Sequence, residues 1–184
     1  MFIHTESTPN PNSLKFIPGQ DITGGAPINF TDKSQCKISP LAEKLFGIAN
    51  VTAVFLGSDF ITITKTESTN WDLLKPEILV TIMEYLVSKK PILKDQVQAS
   101  NETSSAEEDD DLVKQIKELI ETRVRPAVAQ DGGDIIFKDF VDGIVKLELH
   151  GSCSGCPSST VTLKDGIENM LKYYIPEIIS VEAV

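Results

Sequence analysis

Residues 96 to 111 read QVQASNETSSAEEDDD, with six acidic side chains, no basic one and a single valine as the only bulky apolar group. A stretch so poor in apolar surface cannot bury enough to offset the entropy of ordering it. It therefore divides the chain of 184 residues into two pieces, 1–95 and 112–184, each of which must build its own core, with 96–111 as an acidic flexible linker. An acidic docking tail is the sharper alternative for the same residues. Outside this stretch the first piece carries ten acidic and nine basic residues and the second eleven and eight. The overall charge of −10 repels phosphate backbones and anionic bilayers, so neither nucleic acid nor a membrane is an expected partner. No apolar run is long enough to span a bilayer.

The first piece reads as a small α/β or α+β unit. β-type runs fall at 2–5, 14–17, 51–56 and 60–64, the last two joined through Gly57, Ser58 and Asp59 as a hairpin. Ser39 and Pro40 form an N-cap and first-turn pair ahead of a helix over 41–46. Asn70 can cap a longer helix in which Leu74, Ile78, Ile82 and Leu86 recur every four residues, a stripe better suited to a core than to an interface. The segment STPNPNSLKF packs prolines and asparagines between two β-type runs and reads as a rigid, shaped loop, with a binding loop as the alternative. His4, alone in a strand-like run, is expected to be packed and hydrogen-bonded rather than a ligand.

The second piece has the order α-β-β-α-β. Asp111 can cap a helix from Leu112 whose Ile116, Leu119, Ile120 and Val124 form one stripe, ending or kinking near Pro126. Asp131-Gly132-Gly133-Asp134 breaks it. DIIFKDF and IVKLELH then alternate as strands around an Asp142-Gly143 turn, with Val145, Leu147 and Leu149 on one face. A helix starting near Pro157 carries Val161, Leu163, Ile167, Met170 and Leu171, and a short strand within 175–184 closes the chain.

Between the second strand and that helix lies GSCSGCPSST. Its Gly/Ser-rich character places the sulfurs of Cys153 and Cys156 at an exposed corner, and the helix dipole favours thiolate there. Gly151 and Gly155 let backbone amides approach sulfur closely. Two thiolates are half the set that an iron–sulfur cluster or a structural zinc takes, so a metal site here must be completed from outside. His150 is a candidate third ligand, although it ends the strand alternation. The Asp131 to Asp134 turn is explained by helix termination without any metal. Cys36 has no cysteine neighbour and falls in the polar TDKSQCKIS, where packing or exposure suits it better than ligation. Three cysteines, one of them isolated, make no disulfide framework and point to a reducing compartment.

The stretch VRPAVAQDGGDIIFKDFVDGIVKLELHGSCSGCPSSTVTLKDGIENMLKYYIPEIISVEAV resembles the C-terminal NifU-like domain of the Nfu iron–sulfur proteins. MFIHTESTPNPNSLKFIPG resembles their N-terminal domain. The resemblance implies a non-enzymatic scaffold or carrier that receives an iron–sulfur cluster, [4Fe-4S] favoured over [2Fe-2S], and passes it to apo-proteins. It implies a homodimer on cluster binding, with Cys153 and Cys156 of each subunit as ligands, and an upstream assembly scaffold as donor. The cysteine-rich scaffold and ferredoxin-like portions of the multidomain nitrogen-fixation NifU are absent, which favours general cluster maturation over a nitrogenase-specific role. Two other readings of the cysteine pair stay open: a dithiol/disulfide oxidoreductase and a structural zinc-bridged dimer. A thioredoxin-like pair belongs in a βαβ pattern, whereas this one follows a hairpin. The N-terminus has neither a signal-peptide pattern nor an Arg-rich amphipathic one. The expected location is the bacterial cytoplasm, or the mitochondrial matrix if a transit peptide is missing from the sequence.

Overall fold

The computed structural model describes residues 2–94, 111–154 and 157–184, without the side chains of 157–160. The expected linker, up to residue 110, and Cys156 fall outside the described residues. The chain is mixed α+β and forms two compact units, Met1–Ser100 and Asn101–Val184.

The first unit holds a five-stranded antiparallel sheet of order β1-β2-β5-β4-β3, built from β1 (His4–Ser7), β2 (Ser13–Ile17), β3 (Ile28–Phe30), β4 (Val51–Leu56) and β5 (Ile61–Lys65). Alternation decides its faces. Phe16, Val54, Leu56, Ile61 and Ile63 enter the core, and Leu14 packs against it. Helix α1 (Pro40–Phe46) begins as its residues dictate, with Ser39 Oγ accepting from the Ala42 amide at 3.2 Å and Pro40 in the first turn. Helix α2 (Trp71–Val87) is capped by Asn70, and its Leu74, Ile78, Ile82 and Leu86 are core. The proline-asparagine loop is pinned as a shaped connection: Asn10 Oδ1 accepts from the Asn12 amide at 3.0 Å, and Trp71 Nε1 donates to the Pro11 carbonyl at 3.1 Å.

Three features of this unit differ from the sequence expectation. Strand β3 is only three residues long and exists through its pairing with β4. A 3₁₀ turn over Lys33–Ile38 forms inside TDKSQCKIS, closed by an Asp32/Gln35 capping box, and buries Cys36 completely. His4 is exposed, 3.8 Å from Glu6, rather than packed.

In the second unit, α3 (Asp111–Leu119) runs through a wider π turn, Ile120–Val124, into α4 (Arg125–Gln130). Pro126 does not end the helix. Proline cannot donate to the carbonyl four residues back, and the π turn absorbs the mismatch, with the Arg125 amide donating to the Ile120 carbonyl. Strands β6 (Gly133–Val141) and β7 (Ile144–Gly151) form a hairpin around Asp142 (φ +51°) and Gly143 (φ +79°), the two left-handed residues a tight primed turn needs. Helix α5 (Pro157–Tyr174) crosses back so that β8 (Ser180–Ala183) pairs in parallel with β7, giving a sheet of order β6-β7-β8. Val145, Leu147, Ile167 and Leu171 lie in the core beside Ile116, Ile120, Val124 and Val128. Val161, on the same helix, is 59% exposed. Among the described residues no helix is long and apolar enough to cross a membrane.

Candidate functional site

Register brings the site together. The β6–β7 hairpin sets Gly133 opposite Gly151 and Asp134 opposite His150, so the turn that ends α4 meets the turn that begins the cysteine segment. Ser152 ties them: its amide donates to the Gly132 carbonyl at 3.2 Å and its hydroxyl to the Asp131 carbonyl. Gly151, at φ +64°, turns the chain, and the Ser154 amide closes onto the Gly151 carbonyl at 3.1 Å. Cys153 therefore lies directly over Gly133. A methyl group on Gly133 would overlap the Cys153 sulfur and stand 3.0 Å from the His150 carbonyl and 3.2 Å from Val128 Cγ1. No side chain but hydrogen fits there.

This arrangement corrects the expectation of an exposed corner. Cys153 is only 5% exposed and belongs to the core of the second unit. Its thiol is not poised as thiolate either. Burial pushes it up to about 11, the Asp131 and Asp134 carboxylates add to that rise, and a hydrogen bond with Ser152 opposes it. The dipole expected to favour thiolate belongs to a helix that starts four residues later, at Pro157. A thiol in this state is a poor nucleophile at neutral pH, which counts against dithiol exchange at Cys153, while metal binding can still deprotonate it.

The neighbouring candidates are engaged elsewhere. His150 Nε2 lies 2.9 Å from Glu148 Oε1, and Lys138 binds the other oxygen of Glu148. Those two partners hold the Glu148 carboxyl below its ordinary pKa, Lys138 being the larger influence. Asp134, nearly buried, takes a bidentate pair from Arg125 at 2.8 Å per bond, and Arg125 also reaches Glu121 at 2.7 Å. The pair raises the already high pKa of Arg125. It staples α4 to the first residues of β6, beneath the cysteine turn. Sequence reading took Asp134 as part of a helix-ending turn and missed both this pair and the Gly133 contact. The Gly133 contact depends on the register of β6 against β7, and the Arg125 pair on how the chain turns from α4 into β6; no local pattern states either. No group of three metal-capable His, Cys, Asp or Glu side chains forms among the described residues. Cys36 is buried in the other unit, its thiol also pushed up by burial and donating at 3.6 Å to the Asp32 carbonyl.

The chain falls in the class of two-unit α+β proteins that carry a Cys-x-x-Cys sequence after a β-hairpin. Within that class, residues 3–90 match the family described as scaffold protein Nfu/NifU N terminal, and residues 116–182 match the NifU-like domain. The chain belongs to the Nfu/NifU scaffold family. Across its whole length it is 51% identical to the human protein named NFU1 iron-sulfur cluster scaffold homolog, mitochondrial, and covers 72% of that protein. It is 52% identical over its whole length to the like-named protein of Drosophila virilis, of which it covers 62%. The chain thus spans somewhat less than two thirds of the fly relative's length. A solution structure of a NifU-like protein from Saccharomyces cerevisiae is 29% identical, with a TM-score of 0.47, over 52% of this chain and 87% of that one.

Proposed function

We propose that this protein is a non-enzymatic carrier whose cargo is an iron–sulfur cluster, [4Fe-4S] in preference to [2Fe-2S], held between Cys153 and Cys156 of two copies of the chain. The observation that carries the reading is the buried Cys153 thiol within a Cys-x-x-Cys turn, with no third metal ligand gathered beside it among the described residues. Soft thiolates are the donors that iron–sulfur clusters take, and two chains together supply the four that one cannot. The glycine cradle suits the task as well, because Gly133 leaves room for the Cys153 sulfur against its backbone. Binding would remove the Cys153 proton, so capture releases protons and release takes them back. An interfacial cluster has an exit by ligand exchange and separation of the two chains. The acceptors on this reading are apo iron–sulfur proteins and the donor is an upstream assembly scaffold. Both relatives carry "mitochondrial" in their names, so the proposed location is the mitochondrial matrix. Nothing in those names supports the bacterial cytoplasm.

Anaerobic reconstitution with iron and sulfide counting and a parallel mass measurement tests this. A brown holo-dimer should form that restores an apo [4Fe-4S] enzyme in the presence of a strong chelator. A colourless protein with stoichiometric zinc, or a holo-monomer without added thiol, would defeat the proposal.

A further inference from the structure

Helix α2 carries a second apolar face. Its buried side chains, Leu74, Ile78, Ile82, Tyr85 and Leu86, serve the core of the first unit. On the opposite side of the cylinder Leu73, Val80 and Val87 recur at seven-residue spacing, with Pro76 and Met83 at the intermediate positions. All five are exposed, Leu73 at 78%, Val80 at 55% and Val87 at 64%. Isolated surface apolar residues are ordinary, but alternating three- and four-residue steps along the full helix form the seam with which one helix packs lengthwise on another.

We propose that this outer face of α2 docks an amphipathic helix of another protein whose apolar stripe is flanked by Lys or Arg. Charge selects that occupant. Glu77 and Glu84, both exposed, follow Pro76 and Met83 by one residue and line one edge of the seam. A second copy laid antiparallel would set these glutamates against each other, whereas a helix with cations in that row meets complementary charge. At the far end Lys89 and Lys90 are exposed just past the helix. An antiparallel partner brings its N-terminal turn there, the place where helices favour acidic side chains. At the near end Pro76 has no N–H to give, so the Asp72 carbonyl lacks its usual donor four residues on and offers an acceptor to a partner cation. The seam lies wholly in the first unit and is independent of the cysteine site.

The test uses the full-length apo-protein and two synthetic three-heptad helical peptides with leucine seams, one flanked by lysines and one by glutamates, read by fluorescence anisotropy. The lysine peptide should bind, and the glutamate peptide at least about tenfold more weakly. Glu77→Lys combined with Glu84→Lys should reverse that order. Val80→Asp should abolish binding of both peptides without moving the unfolding midpoint; if it unfolds the protein, Leu73→Asp, at the most exposed seam position, replaces it. Equal binding of the peptides, no binding, or binding that survives the seam variant overturns the proposal. So does self-association of the apo-protein that the seam variant removes, which would give this face to a second copy.

Discussion

Cys36 and Cys153 are both buried, and burial pushes both thiols above their ordinary pKa. Their surroundings differ. Cys36 sits inside a 3₁₀ turn closed by a capping box, within a core that takes side chains from two helices and from strands of a five-stranded sheet. Cys153 sits at the edge of the core of a three-stranded unit, beside a glycine turn and with Gly133 against its sulfur. Fractional burial alone would class the two together. What separates them is how much structure must move before the sulfur can meet an outside partner: a packed core for Cys36, one turn for Cys153.

The sharpest way to break this comparison is to exchange the effects. Cys153→Ser should abolish the brown chromophore and the cluster-dependent dimer together, and Cys156→Ser should do the same, while the unfolding of the first unit stays unchanged. If Cys153→Ser kept its full iron content, the cysteine turn would not be the site.

A second effect, smaller and purely structural, tests whether the turn depends on the staple beneath it. Asp134→Ala leaves Arg125, 29% exposed, without its bidentate partner, and should cost the second unit about 2–3 kcal/mol in urea unfolding. Cluster yield should fall along with that stability, because Asp134 directly follows the glycine on which Cys153 rests. Loss of stability with full iron uptake would show that the cradle tolerates movement of β6.

How much of this could be read in advance follows the distance over which each feature is determined. Ser39-Pro40, Asn70 and Asp142-Gly143 act through their own backbone neighbours, and each does what its residue type dictates. Strand β4 has the predicted bounds because its run of strand-forming residues stops at the Gly57-Ser58-Asp59 turn. Strand β3 is held only by its partner, and Pro126 continues a helix because the π turn just before it makes room. The cysteine pair was legible as metal chemistry from spacing. The burial of Cys153 was not, since it depends on Gly133, twenty residues away, being set across the hairpin from Gly151.

The alkaline limb of stability sharpens the comparison in both units at once. A thiol is neutral while it holds its proton, so a buried one keeps in the native state a proton that the unfolded chain gives up sooner. For Cys153 the window runs from the ordinary value of 9.0 to about 11. Its contribution is complete below that window and is lost as pH rises through it, about 3 kcal/mol in all. Cys153→Ala should flatten this limb for the second unit, and Cys36→Ala should do so for the first. An unchanged limb in Cys153→Ala would mean that the turn opens readily enough to keep the thiol solvated.

The smallest effect is expected where the burial is greatest. Cys36→Ala removes one sulfur from a fully buried position together with a weak bond to the Asp32 carbonyl. The cavity is small, and by analogy with the loss of a single buried heavy atom it should cost the first unit about 1 kcal/mol. Iron content after reconstitution should equal that of the unaltered protein, because nothing in this environment offers the sulfur to an outside metal. Urea unfolding and iron counting on one preparation separate the two roles. A stability loss with full iron keeps Cys36 as packing and leaves ligation to the cysteine turn. Loss of half the iron would instead bring Cys36 into the ligand set, and the division between a core cysteine and a turn cysteine would fail.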